Sequence, residues 1–267
     1  MLGFVLPWLS VAGGCTSRTW HSGDRDAPLV TASETERFRC LLAAALDREA
    51  LYTLAGGLKP LSTGFWRGSI SVQDADLTEL REVRRALAPL RDETYYADVQ
   101  VFATSHDGAR TLEAYVVHRA SLAALIARES SFFAPLGIAP CTHPAEVVTI
   151  VDRLPRRDRW RAYGLLFGYP VHAVDFFVEA TDRARADGTD MGPGKDRTFV
   201  EIPTASATKG QFTYAVPLDH TELPEDRALR QEATRVLAEY LKVAREIKAA
   251  RDPMPLVRAL NRAARTR

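Results

Sequence analysis

Residues 95–103 and 111–118 are two β-rich runs, and Asp107-Gly108 stands between them. A tight hairpin turn needs backbone at positive φ, which Asp and Gly adopt at low cost, so the two runs are expected to pair antiparallel. The rest of the chain mixes strand and helix patterns, with few alternations of βαβ length. Together these features predict an α+β fold in which an antiparallel sheet packs against several helices.

The remaining elements follow from capping and spacing. Ser33-Glu34-Thr35-Glu36 matches a capping box, and Phe38, Leu41, Leu42, Ala45, Leu46, Leu51 and Leu54 follow at helical spacing until Gly56-Gly57. Residues 65–72 read as a strand, and Asp74 or Asp76 caps a helix that ends near Leu87, before Pro89. Helices are expected at 120–131, 144–153, 157–167 and 171–186, and further strands at 198–202 and 211–216. A long helix opens at Pro224 and carries Leu229, Ala233, Val236, Leu237, Tyr240, Leu241, Ala244 and Ile247 on an apolar face that should clamp the sheet.

With 46% hydrophobic and 26% charged residues, the chain has the make-up of a globular protein, and no long Ser/Gly/Pro-rich linker divides it after about residue 33. A single domain over 33–267 is expected. The net charge of +1 argues against general attraction to nucleic acid, which requires clustered positive charge. Arg251, Arg258, Arg262, Arg265 and Arg267 against Asp252 form a local basic tail, read as a solvated helix face or a contact for anionic headgroups.

Ahead of the domain, Met1 to Gly14 is a short apolar run that ends in Ala12-Gly13-Gly14-Cys15. This segment resembles a bacterial lipoprotein signal, although its first basic side chain, Arg18, falls after the cysteine. The resemblance covers residues 1–15 alone. It implies lipidation of Cys15, a lipid anchor in the membrane, and a place in the bacterial cell envelope facing the periplasm or the exterior. Residues 16–32, rich in Ser, Gly, Asp and Pro, would then be a flexible tether. Residues 2–14 are too short for a bilayer span and are interrupted by Pro7. If Cys15 is lipidated, Cys40 and Cys141 remain as a pair in an oxidising compartment and a disulfide becomes possible; the alternative makes Cys40 a small apolar residue on a buried helix face.

Several strong catalytic signatures are absent, including Gly-x-Ser-x-Gly, His-Glu-x-x-His, Cys-x-x-Cys and Gly-x-Gly-x-x-Gly. Two weaker patterns remain. His143 and Glu146, and likewise His172 and Asp175, stand three apart and so share a helix face. If the two helices face each other, the four side chains would suit zinc; alone, His172 oriented by Asp175 would suit hydrolytic acid/base work. The alternative reading has the histidines cap or satisfy helix ends. Residues 165–177 join a Gly168-Tyr169-Pro170 turn, His172 and four aromatic rings, read either as a wall of the main cleft or as helix-turn-helix core. Lys59 and Ser62, in the segment after Gly56-Gly57, face a cleft or lie in an irregular link.

The sequence therefore supports a lipid-anchored extracytoplasmic protein that binds an unknown protein or small molecule and performs no chemistry. The alternative is a hydrolase or metal-dependent enzyme built around His172 and Asp175.

Overall fold

The turn at Asp107-Gly108 forms as expected, with φ of 49° and 72° at its two residues. It joins β2 (Tyr95–His106) to β3 (Ala109–His118) in antiparallel register, with Asp98 opposite Tyr115 and Gln100 opposite Glu113. This is a computed structural model, and it describes residues 34–186 and 196–265, with the side chains of 185 and 186 excepted. The segment ending at Cys15, the stretch 16–32 and the capping residue Ser33 lie outside the described residues.

A third strand, β1 (Leu61–Ser71), pairs antiparallel with β3 on its other side, giving the sheet order β1-β3-β2. It starts four residues before the strand expected from Phe65. Leu61, Ser62 and Thr63 pair with Val117, Val116 and Tyr115, after which the register shifts around Gly64, at φ +77°. That irregularity breaks the period-2 pattern and hides the strand's first residues from a sequence reading.

β3 is buried on both faces, so the sheet has a helical layer on each side. Leu112, Ala114 and Val116 point into one apolar cluster with α1 (Glu34–Asp47), α2 (Leu51–Leu54) and α3 (Thr78–Ala86). Tyr115 and Val117 point into the other, against α4 (Arg119–Arg128), α6 (Pro144–Arg153) and α7 (Arg156–Leu166), with the short α5 (Ser130–Phe133) contributing Phe133. The turn after α7 leads into α8 (Val171–Ala186), which packs on α7 and on a two-stranded antiparallel ribbon of β4 (Arg197–Ile202) and β5 (Phe212–Pro217).

Two C-terminal helices, α9 (Pro224–Ala249) and α10 (Met254–Arg265), complete the first cluster. α9 buries Ala233, Val236, Tyr240 and Ile247 but leaves Leu241 58% exposed, and it packs on α2 and α10 rather than clamping the sheet. The basic tail is an amphipathic helix whose Arg258, Arg262 and Arg265 lie exposed, as a solvated helix face would, while its other face joins the core. α10 buries Met254, Val257, Leu260 and Ala264, its Asn261 Oδ1 accepts the Gly56 N–H at 3.0 Å, and Arg258 pairs with Asp92 at 2.8 Å. The helix expected to run through Leu54 breaks after Asp47, where Arg48 N–H donates to Ala45 O and Leu51 N–H to Arg48 O in tighter turns. The whole is a single α+β domain. Among the described residues no helix is long and apolar enough to cross a membrane.

The α7–α8 turn is held close to the start of β1. Gly168 has φ +73°, and a Cβ there would lie 2.8 Å from the Leu58 carbonyl oxygen. Gly210 has nearly the same φ, +76°, with nothing within 4 Å. Both positions strain an alanine backbone by roughly 1–3 kcal/mol, and only Gly168 adds a backbone clash. Gly168→Ala is therefore expected to lower unfolding free energy in urea by clearly more than Gly210→Ala; equal losses would show that the close approach does not matter.

His118, at the end of β3, caps α4: its Nδ1 accepts the Ser121 N–H at 3.2 Å, and its Nε2 is buried with no hydrogen-bond partner. Burial, aided by the Arg265 charge, pushes its pKa down to about 4. An unfolded histidine titrates near 6.5, so the stabilisation is complete above that pH and is lost as pH falls from about 6.5 to about 4, in total about 3 kcal/mol. His118→Asn keeps a capping acceptor without the titration. Its unfolding free energy should show a shallower pH slope over this window than the unchanged protein, and identical slopes would refute the assignment.

Candidate functional site

The N-terminus of α9 carries a carboxylate that accepts four hydrogen bonds. Pro224 occupies the first helical turn, and Asp226, two residues on, reaches back so that its Oδ2 accepts the Leu223 N–H at 3.0 Å. An acid here also meets the positive end of the helix dipole. Asp226 is fully buried, and three further donors converge on it from other elements. Tyr214 Oη, on β5, donates to Oδ1 at 2.6 Å; His172 Nε2, on α8, donates to Oδ1 at 3.1 Å; His220 Nε2, from the β5–α9 loop, donates to Oδ2 at 2.8 Å.

These bonds fix the protonation pattern. A carboxylate only accepts, so both imidazoles present Nε2 to Asp226 and leave Nδ1 on the far side. Burial disfavours the charged carboxylate, yet the hydrogen bonds from Tyr214, the Leu223 N–H and His220 outweigh it and hold the Asp226 carboxyl below its usual range. Burial and the bond to Asp226 push the Tyr214 phenol up, so it stays a donor. The two imidazole rings lie nearly parallel, 14° apart with centroids at 5.3 Å. His172 keeps 25% of its side-chain surface in water and His220 11%, so the cluster is reached from outside through the imidazoles.

His172, His220 and Asp226 offer two imidazole nitrogens and one carboxylate oxygen, all within 4.8 Å of one another. This donor set suits zinc and the other first-row divalent ions, and tetrahedral zinc would hold such ligand atoms about 3.3 Å apart. The Nε2-to-oxygen separations of 3.1 and 2.8 Å need only a small opening to reach that value. Tyr214 and the Leu223 N–H would then orient the ligating carboxylate from behind.

The side chains expected to act together are dispersed. Asp175 does not orient His172; it pairs with Arg161 on α7 at 2.5 Å, while His172 turns to α9. His143 caps α6, its Nδ1 accepting the Ala145 N–H at 3.3 Å, and its ring sits edge-on to Tyr96. Neither His143 nor the exposed Glu146 joins His172. Cys141 is an exposed thiol beside α6 and Cys40 an exposed thiol on α1, with no disulfide between them in the structure.

Lys59 and Ser62 are buried, and the partly buried Tyr169 lies beside Lys59. Lys59 is fully buried and ion-paired with Glu49, and its Nζ lies 4.3, 5.4 and 5.7 Å from the ring centroids of Phe212, Phe167 and Tyr169. Burial pulls the Lys59 pKa down, opposed by the Glu49 charge and hydrogen bond. Ser62 Oγ is 2.8 Å from Thr53 Oγ1 and donates to the Glu49 carbonyl at 3.4 Å. Tyr169 stacks on Phe212 and also touches Tyr214, which links this aromatic box to the Asp226 cluster.

His220, Asp226, Tyr214 and Glu49 were not singled out from the sequence. An acid two places after Pro224 is a legible helix-start signal, but nothing local tells that distant histidines converge on it. No family model, curated protein or solved structure matches the chain.

Removing one partner of a buried pair strands the other charge, at a cost of about 3–5 kcal/mol, whereas an apolar pair of similar volume is often neutral. Glu49→Leu should therefore destabilise strongly, and the double variant Glu49→Leu/Lys59→Met should recover most of the loss. Urea unfolding of the four proteins of this cycle checks it; additive losses would mean that the pair is uncoupled.

Proposed function

We propose that this protein binds a first-row divalent metal ion, zinc being the first choice, through His172 Nε2, His220 Nε2 and one oxygen of Asp226. The observation that carries this reading is the aim of two imidazole nitrogens at a single buried carboxylate from separate elements. A carboxylate at the start of a helix needs only backbone donors to be satisfied, so two convergent imidazoles exceed a capping role. Three protein ligands leave a coordination position for water, and zinc held in this way brings the pKa of bound water to about 7. The partial exposure of His172 puts that position within reach of a small solute.

The address of the protein is part of the same proposal. Ala12-Gly13-Gly14-Cys15 supports export and lipidation at Cys15, which would hold the metal site at the envelope membrane on a tether of residues 16–32. Intact mass of membrane-extracted protein reads this directly. A diacylglyceryl-modified chain that starts at Cys15 is expected, and an unmodified chain that retains Met1 would refute it.

Cobalt serves as the spectroscopic probe for the site. Titration of metal-stripped protein with Co²⁺ is expected to give ligand-field bands and a Kd in the micromolar range or below, and Zn²⁺ should displace the cobalt. His172→Ala removes one of four hydrogen bonds to the buried Asp226 and is expected to cost about 1.5–3 kcal/mol of stability, while weakening Co²⁺ binding by the folded protein by at least about 100-fold. Wild-type protein that binds neither ion below about 1 mM, or a His172→Ala variant that binds both unchanged, would overturn the metal reading.

A further inference from the structure

A second polar site lies on the other side of the sheet. On the α6 face, the alternation of β2 and β3 places Asp98, Gln100, Glu113 and Tyr115 side by side, all less than a tenth exposed. Between this face and α6 opens a cleft of about 490 Å³, a size that accommodates a small metabolite. Buried polar groups under a helix need partners, and most of these have them. Asp98 takes a two-pronged bond from Arg84 at 2.6 and 2.8 Å, Glu113 pairs with Arg67 at 2.5 Å, and Asp152 on α6 accepts the Ala103 N–H at 2.7 Å.

Three groups in the cleft wall are left over. Gln100 donates through Nε2 to Tyr163 Oη at 2.8 Å, and its Oε1 is buried with no hydrogen-bond partner. The exposed guanidinium groups of Arg110, on β3, and Arg153, on α6, also line the cleft, and neither makes a hydrogen bond or salt bridge among the described residues. The net result is an acceptor without a donor on the floor and two arginines at the rim that hydrogen-bond to no anion, with the Asp152 carboxylate in electrostatic reach of both.

We propose that this cleft binds a small organic anion that also carries a hydroxyl or amine donor, its carboxylate or phosphate held by Arg110 and Arg153 and its donor bonded to the Gln100 amide oxygen. Two arginines give the planar, multi-donor recognition that carboxylate and phosphate oxygens favour. The unpaired amide oxygen selects against an otherwise equal anion without a donor, because such a ligand leaves the oxygen buried and unsatisfied. The site is separate from the His172 cluster, so the two proposals stand or fall independently.

The test is calorimetric titration of metal-stripped protein at physiological ionic strength with L-malate, L-aspartate and glycerol 3-phosphate, and with succinate as the anion that lacks a donor. At least one of the first three is expected to bind with a Kd below about 1 mM, and succinate at least about tenfold more weakly than malate or aspartate. Arg110→Ala and Arg153→Ala, both at exposed side chains, should each weaken binding by at least about tenfold, while His172→Ala leaves it unchanged. No binding below about 1 mM by any of the three would overturn the proposal, as would binding that both arginine variants retain. Equal binding of succinate would overturn the role of Gln100, and equal competition by inorganic phosphate would reduce the site to general anion attraction and overturn it likewise.

Discussion

β3 has water on neither face over most of its length, and the architecture follows from that one requirement. A half-buried strand is satisfied by one helical layer; β3 needs two, and the chain supplies α1 to α3 with the C-terminal helices on one side and α4, α6 and α7 on the other. The hairpin turn sets the register, and the register decides which side chains go to which layer. A slip of one residue would send Leu112, Ala114 and Val116 to the α6 face and Glu113 and Tyr115 into the opposite cluster. The acid would then lose Arg67, its partner at the strand's edge.

Given two closed layers, any charge inside them must arrive with its own partner. Glu49 and Lys59 solve this as a pair wrapped by aromatic rings. Asp98 and Glu113 solve it with arginines whose stems cross from the surface. Asp226 differs in kind, since its four bonds come from donors on α8, β5 and the β5–α9 loop and need no neighbouring permanent cation. Those bonds tie the two-stranded ribbon to the helices beside it, which explains why a ribbon of two strands, marginal by itself, is ordered here.

Legibility in the sequence tracks how local each determinant is. The Asp107-Gly108 turn, the cap at Pro144 and the helix start at Pro224 are decided within a few residues, and each forms as read. The first residues of β1 were hidden because Gly64 interrupts the alternation that identifies a strand. α9 displays a broad apolar face, yet the sequence does not say that α10, read as a basic tail, covers part of it. The candidate site was half legible: His172 stood out as a titratable group in a dense aromatic segment, while its partners lie 48 and 54 positions later and carry no shared spacing. Asp175 was the natural choice at helical distance, and Arg161 on the adjacent helix takes it instead.

Under the proposed metal reading, the arrangement around Asp226 would separate folding from metal binding. In small zinc domains the metal replaces a missing core, and the apo chain unfolds. Here two apolar clusters already supply the core, and without an ion the imidazole N–H groups donate to the carboxylate in its place. Binding of the proposed ion would move each Nε2 proton to Nδ1 and would need little movement of backbone, because His172 and Asp226 are fixed on helices. Only His220 sits on a loop, in the turn where its N–H donates to the Pro217 carbonyl at 3.1 Å. The small opening that an ion requires thus falls most readily on the β5–α9 loop, the one ligand-bearing element that can give way without disturbing either layer of the sheet.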